Sequence, residues 1–316
     1  MKTLNELREY YNSELMPDLK KLEGVRLANV RKMVVMIGPT LAVGGLLALV
    51  LHEMEDLPSF VLVLTAVVAA IMYAAIVRGY VSDFKRAIIE KIVRFIDEGL
   101  AYNPTGYIAP GLYKDSRLFT RRYDVYKGDD HVQGKVGATA IEFSELHTQY
   151  ITRDSKGRTQ HHTIFKGLFF VGDFNKHFKG RTFVLPDRSE KLFGSLSKVF
   201  QSMSMSRPEL VKLEDPEFEK LFVVYSDDQI EARYILSPSL MRRITEFKKK
   251  AGRTVSLSFL NANVYIAIPY FKNLFEPRIF QTLLDFKPIQ EYFEDLQLAV
   301  GIVEDLNLNT RIWTKE

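Results

Sequence analysis

Residues 33–51 read MVVMIGPTLAVGGLLALVL, and residues 57–77 read LPSFVLVLTAVVAAIMYAAIV. Neither stretch holds an Asp, Glu, Lys or Arg. At 1.5 Å per helical residue, the 19 residues of the first run match a bilayer core of about 30 Å. Between the runs lie only His52, Glu53, Met54, Glu55 and Asp56. Two such runs joined by a short acidic turn predict a helical hairpin across a membrane. Gly38, Pro39, Gly44 and Gly45 would weaken a helix in water, but small residues and proline are common in membrane spans and let helices approach closely. A cleaved signal peptide fits poorly, because 32 residues containing five acidic side chains precede the first run and a second run follows at once.

The borders of the runs set an expected orientation. Arg26, Arg31 and Lys32 precede the first, and Arg78, Lys85, Arg86, Lys91 and Arg94 follow the second, whereas the turn has neither Lys nor Arg. The positive-inside rule places both termini in the cytoplasm of a multi-pass inner-membrane protein. Arg31, Lys32, Arg78, Lys85 and Arg86 are the expected membrane-flanking cations, with lipid headgroups as their partners.

Working outward, residues 1–32 carry Leu4, Leu7, Tyr11, Leu15, Leu19 and Leu22 at helical spacing, with Pro17 as an expected break or kink. This amphipathic helix should pack against residues 80–100 or dock a partner helix. Residues 78–111 read as a helical stem and linker. Residues 112–316 read as one cytoplasmic α+β domain, an antiparallel sheet with packed helices. Val136 to Ile151 and Thr163 to Val171 are strand-like, and Gly172 and Gly180 suggest a hairpin from the latter into Thr182–Leu185. Phe222–Tyr225 is a further strand, and Val255–Phe259 with Val264–Ile268 a hairpin around Asn261. Helices are expected after Asp187, Asp215, Ser237 and Pro288.

The chain has 316 residues, 43 basic and 39 acidic, for a net charge of +4. That excess is too small to imply nucleic acid. It has no cysteine, which excludes disulfides, thiol nucleophiles, and cysteine-bound zinc or iron–sulfur centres. The six histidines, His52, His131, His147, His161, His162 and His177, show no metal-binding spacing. No nucleophile elbow, P-loop or dinucleotide fingerprint occurs, so no metal, cofactor or catalytic residue is assigned. The pairs Asp129/Asp130, Asp227/Asp228 and Glu304/Asp305 read as turn or surface charges. Phenylalanines 165, 169, 170, 174, 178 and 183, interleaved with Lys166, Lys176, Lys179 and Arg181, read as a core strand with solvated cations. The run Lys248–Lys250 reads as a helix C-terminus.

Polar residues set in apolar surroundings, namely Asp173, Asn175, Lys176, Arg181, Asp227, Asp228 and Arg233, form the candidate ligand-binding set. They could converge in a pocket or pin loops.

Three stretches carry a family resemblance. FKGLFFVGDFNKHFKGRTFVLPD (165–187), ELVKLEDPEFEKLFVVYSDDQIEARYILSPSLMRRI (209–244) and IVEDLNLNTRIW (302–313) resemble a bacterial family known as domain of unknown function 3137. The resemblance covers residues 135–316. It implies a bacterial membrane protein with a cytoplasmic domain, and it brings no activity or catalytic residues. Members can be encoded beside LemA-type membrane proteins, which makes such a protein a candidate partner. The expectation is a two-span anchor presenting a binding or scaffolding domain, open to homo-oligomerisation. The alternative is a membrane-bound, hydrolase-like enzyme whose site is assembled from distant residues.

Overall fold

The computed structural model describes residues 2–174, 177–187 and 208–309. The chain divides into two compact units, Lys2–Ile92 with Phe275–Phe293, and Val93–Leu274 with Glu294–Glu316.

In the first unit, α1 (Leu4–Tyr10) begins with a capping box: Thr3 accepts from the Glu6 amide, and Glu6 accepts from the Thr3 amide at 2.7 Å. A π-turn, Tyr11–Leu15, leads without interruption into α2 (Met16–Val50). Pro17 therefore does not break the chain. It occupies the first turn of α2, where a missing N–H costs least, and the wide turn before it absorbs the mismatch. Residues 51–56 connect α2 to α3 (Leu57–Phe84). A second π-turn, Lys85–Ile89, precedes α4 (Glu90–Ile96).

The apolar stripe of the N-terminal segment is buried at Leu7, Tyr11, Leu15, Leu19 and Leu22. Phe84, Ile88, Ile89 and Ile92 are buried likewise. Asp18 pairs with Lys91 at 2.7 Å, which joins the two segments as expected. Farther along, α2 and α3 are both long and apolar enough to cross a membrane. Val34, Val43, Leu46, Leu49, Phe60, Val63 and Ile71 all face outward. Within the pair, a side chain on Gly44 would overlap Thr65, so glycine is what allows α2 and α3 to touch there. Thr40 and Thr65 satisfy their hydroxyls on their own helices, through Met36 O and Val61 O, both at 2.8 Å.

The second unit is built on a nine-stranded antiparallel sheet. Its strands are β1 (Leu100–Asn103), β2 (Val125–Val136), β3 (Thr139–Arg153), β4 (Thr159–Asp173), β5 (Thr182–Pro186), β6 (Glu209–Val211), β7 (Phe222–Ser226), β8 (Ser256–Leu260) and β9 (Asn263–Pro269). Their order is β1-β2-β3-β4-β9-β8-β5-β7-β6. The edge strand β1 comes from the segment read as stem and linker. β4 does not form the expected hairpin with β5. Phe165, Phe169, Phe170, Phe183 and Val184 are all buried, and both strands are flanked on both edges: β4 by β3 and β9, β5 by β7 and β8. The phenylalanine run is core, as its spacing predicts.

The helices of this unit are α5 (Pro110–Asp115), α6 (Pro216–Leu221), α7 (Gln229–Ile235) and α8 (Pro238–Ala251). The last helix, α9, runs over Phe286–Asp305 and starts two residues before the proline that signals it. Asp215 caps α6 through the amides of Glu217 and Phe218, and Ser237 caps α8. Gly252 ends α8 in the left-handed conformation, φ 59°. Lys249 and Lys250 are held by Glu217 and Asp305, at 2.5 and 2.7 Å. The helix expected after Asp187 lies outside the described residues.

Candidate functional site

The sheet unit contains a cleft of about 770 Å³. Its floor is aromatic and its rim cationic. Leu112 to Tyr123, LYKDSRLFTRRY, supplies most of both, and Arg181, Phe183 and Pro208 complete it. Tyr113 and Phe183 are buried, Phe119 and Tyr123 half-buried. The Tyr113 hydroxyl shares a 2.9 Å hydrogen bond with Thr148, and its ring stacks on Phe119 at 5.0 Å. Burial pushes the Tyr113 phenol well above its ordinary value.

The segment is tied down from below. Ser258 donates to Ser116 O at 2.7 Å, Ser116 donates to Tyr113 O at 2.7 Å, and the Leu118 amide donates to the Ser116 hydroxyl at 3.2 Å. Above this clamp stand Lys114, Arg117, Arg121, Arg122 and Arg181, all exposed, with Asp115 the only carboxylate among the lining residues described. Arg121 sits over Tyr150, 3.3 Å from the ring centre, and Lys114 sits 5.4 Å over Tyr123. Arg117 follows α5 with φ 53°. Glycine fills that conformation at least cost, and any other L-residue carries a penalty of about 1–2 kcal/mol.

Among the residues singled out from sequence, Arg181 lines this cleft. Its guanidinium grips Asp227 with two bonds, 2.6 and 2.9 Å, which holds the Asp227 carboxyl below the usual range and raises Arg181 in turn. Asp228 caps α7 through the amides of Ile230 and Glu231, and Glu231 receives the amides of Lys179 and Gly180. The pairing of β5 with β7 brings this group together, at Thr182 opposite Ser226. Arg233 bonds Gln229 and the carbonyl of Lys212. Asp173 ends β4 opposite Asn263. Asn175 and Lys176 lie outside the described residues. These contacts pin the loops beside β5 and β7, and four of the five cations of the cleft come from residues 114–122, which carry no recognised motif. The usable signal was the density of LYKDSRLFTRRY, four cations and three aromatics in twelve residues.

A second cluster joins Asp129, Asp130 and Glu145, whose carboxylate oxygens lie within 4.8 Å of one another. A bulge in β2 turns Asp130 inward at φ 57°. Asp130 accepts from the Tyr102 hydroxyl, and Glu145 accepts from the Leu274 amide at 2.6 Å. The adjacent acids Asp129 and Asp130 thus do more than mark a turn, although only the fold brings Glu145 to them. Four of the histidines lie on β2, β3 and β4, while His52 and His177 lie outside the strands. His131 meets Glu142 at 3.0 Å, His162 meets Thr152 at 2.8 Å, and His147 faces Thr163 at 3.3 Å. Burial, reinforced by Lys166 and Lys127, lowers the His147 pKa.

In the helical unit, the expected flanking cations Arg31, Lys32, Arg78 and Arg86 are exposed, whereas Lys85 is buried. Arg26 is buried as well. It donates to Glu23 at 2.7 and 2.9 Å and to Ile279 O at 3.0 Å. Glu23 also accepts from the Leu283 amide at 3.0 Å and the Thr282 hydroxyl at 3.2 Å. Residues 279–283 are thereby strapped to α2.

Comparison with known proteins bears on the second half of the chain. Residues 163–308 match the family model described as Protein of unknown function (DUF3137). The matched DUF3137 segment runs from β4 to the end of α9 and includes Arg181, Phe183 and Pro208 of the cleft, but not the stretch from 112 to 123. No curated protein matches the chain. One similar solved structure is the crystal structure of the mycobacterial trehalose monomycolate transport factor A, TtfA, at 10% identity and a TM-score of 0.33, covering 69% of this chain and 96% of that one. A likeness that low carries no argument about this protein.

Proposed function

We propose that this protein is a two-span bacterial inner-membrane protein with both termini in the cytoplasm, and that its α+β unit is a binding or scaffolding domain. The observation that carries the anchor is the outward-facing apolar surface of α2 and α3. Val34, Val35, Val43, Leu49, Val50, Phe60, Val63 and Ile71 would each be wetted in solution. Contiguous apolar surface of that extent belongs against lipid or another protein. Orientation follows from the cations at 31, 32, 78 and 86 and the acidic turn at 53–56. The domain's binding role rests on the cleft over Tyr113 and Phe119. A LemA-type membrane protein is a candidate partner on family resemblance.

The test is fractionation with topology reporters. The chain should stay with membranes through alkaline carbonate and leave them only with detergent. A periplasm-dependent phosphatase inserted between His52 and Asp56 should be active, and the same enzyme fused after Glu316 inactive. Recovery as a detergent-free soluble monomer overturns the anchor, and the reverse reporter pattern overturns the orientation.

A further inference from the structure

The cleft over Tyr113 and Phe119 has the chemistry of a site for one kind of ligand. We infer that it binds an anionic amphiphile, a molecule joining a phosphate-type headgroup to an aliphatic body. The inference rests on the binding-domain reading above and deepens it.

The rim argues for the headgroup. Four of its five cations are arginines, whose planar forks match phosphate oxygens with paired bonds. Arg181 pairs with Asp227, Arg121 sits over Tyr150 and Lys114 over Tyr123. Arg117 and Arg122 complete the cationic set. Arg117 occupies a left-handed position that glycine would fill with less strain, so the fold holds a cation where local geometry would prefer none.

The floor argues for the aliphatic body. At about 770 Å³ the cleft far exceeds a bare phosphate and falls in the range of sites for small organic ligands. The Tyr113 ring at its centre is not an open stacking platform. Tyr113 is faced by Phe119 at 5.0 Å and edged by Tyr123 and Tyr126 at 5.9 and 5.5 Å. A nucleobase needs a free ring face, whereas an alkyl chain packs against edges and side walls equally well. A phosphate at the rim and methylenes on the floor satisfy both halves of the cleft.

The experiment titrates the full-length protein, in a neutral maltoside detergent, with dihexanoyl phosphatidic acid, glycerol 3-phosphate and AMP by calorimetry. Protein-free micelles serve as the blank. The phosphatidic acid should bind saturably and at least about tenfold tighter than glycerol 3-phosphate, because each buried methylene adds to affinity. Arg122→Gln and Arg117→Gly should each weaken it about tenfold or more, the loss of one charge-assisted contact. The pair Lys249→Gln/Lys250→Gln removes charge from the end of α8 and should leave the affinity unchanged. Absent binding, equal affinity for glycerol 3-phosphate, tighter binding of AMP, or equal weakening by the α8 pair would each overturn the inference. These outcomes do not depend on how the protein fractionates, so failure of the anchor and failure of the ligand class are separable.

Discussion

Replacing Glu23 by alanine should release residues 279–283 from α2. In the native arrangement one carboxylate receives four hydrogen bonds: two from Arg26, one from the Leu283 amide and one from Thr282. The Glu23 and Arg26 side chains are 13% and 10% exposed. Breaking a fully buried pair costs about 3–5 kcal/mol, and an exposed pair less than about 1. Arg26 keeps its bond to Ile279 O and some access to water, so about 2–3 kcal/mol of local stability should be lost. By hydrogen exchange with mass spectrometry, amides in residues 279–286 should then exchange roughly 30- to 150-fold faster, while β8 and β9 stay unchanged. The pH dependence has a definite sign. The Arg26 guanidinium holds the Glu23 carboxyl below its ordinary 4.5. Its contribution is therefore complete above 4.5 and is lost as pH falls through the lowered folded value. Substituting methionine at both 23 and 26 removes the uncompensated charge but should not restore the protection, because the Leu283 amide and the Ile279 carbonyl still lack their partners. Exchange in Glu23→Ala within twofold of wild type would refute the claim that this ion pair fastens the strap.

Other outcomes follow from the same contacts. Asp215→Ala removes the acceptor for two amides at the start of α6 and should cost about 1 kcal/mol, read as earlier denaturant unfolding of the sheet unit. Gly44→Val should drive α2 from α3 at Thr65. Because the chain lacks cysteine, a cysteine pair introduced at Thr40 and Met72 can be cross-linked by a short bis-maleimide, and the substitution should slow that reaction several-fold. An unchanged rate would mean the helices do not touch there. His147 should titrate below its ordinary 6.5 by NMR, since burial and the neighbouring lysines disfavour its charged form. Its neutral form supports the fold above that value, and the support is lost as pH falls through the lowered one.

The features legible in the sequence are those whose physics is local or periodic. The apolar runs at 33–51 and 57–77 specify two long helices, since a charge-free stretch of that length has few alternatives. Asp215-Pro216, Ser237-Pro238 and Gly252 mark helix ends because caps satisfy amides and carbonyls within one turn. The phenylalanines of β4 belong in the core because an unbroken run of large apolar side chains must be covered on both faces. Sequence could not supply what distant residues do to one another. The hairpin expected between β4 and β5 gave way to β9 and β8 because strand order is chosen by packing across the whole sheet, not by the loop between two neighbours in the chain. Glu23 and Leu283 are 260 residues apart, and each reads alone as an ordinary surface or loop residue. The cleft is the same case: LYKDSRLFTRRY becomes a site only when Ser258 clamps it and Arg181, the residue just before β5, closes its rim. Charge and hydrophobicity are written residue by residue, but a cavity and its ion pairs exist only once the chain has folded back on itself.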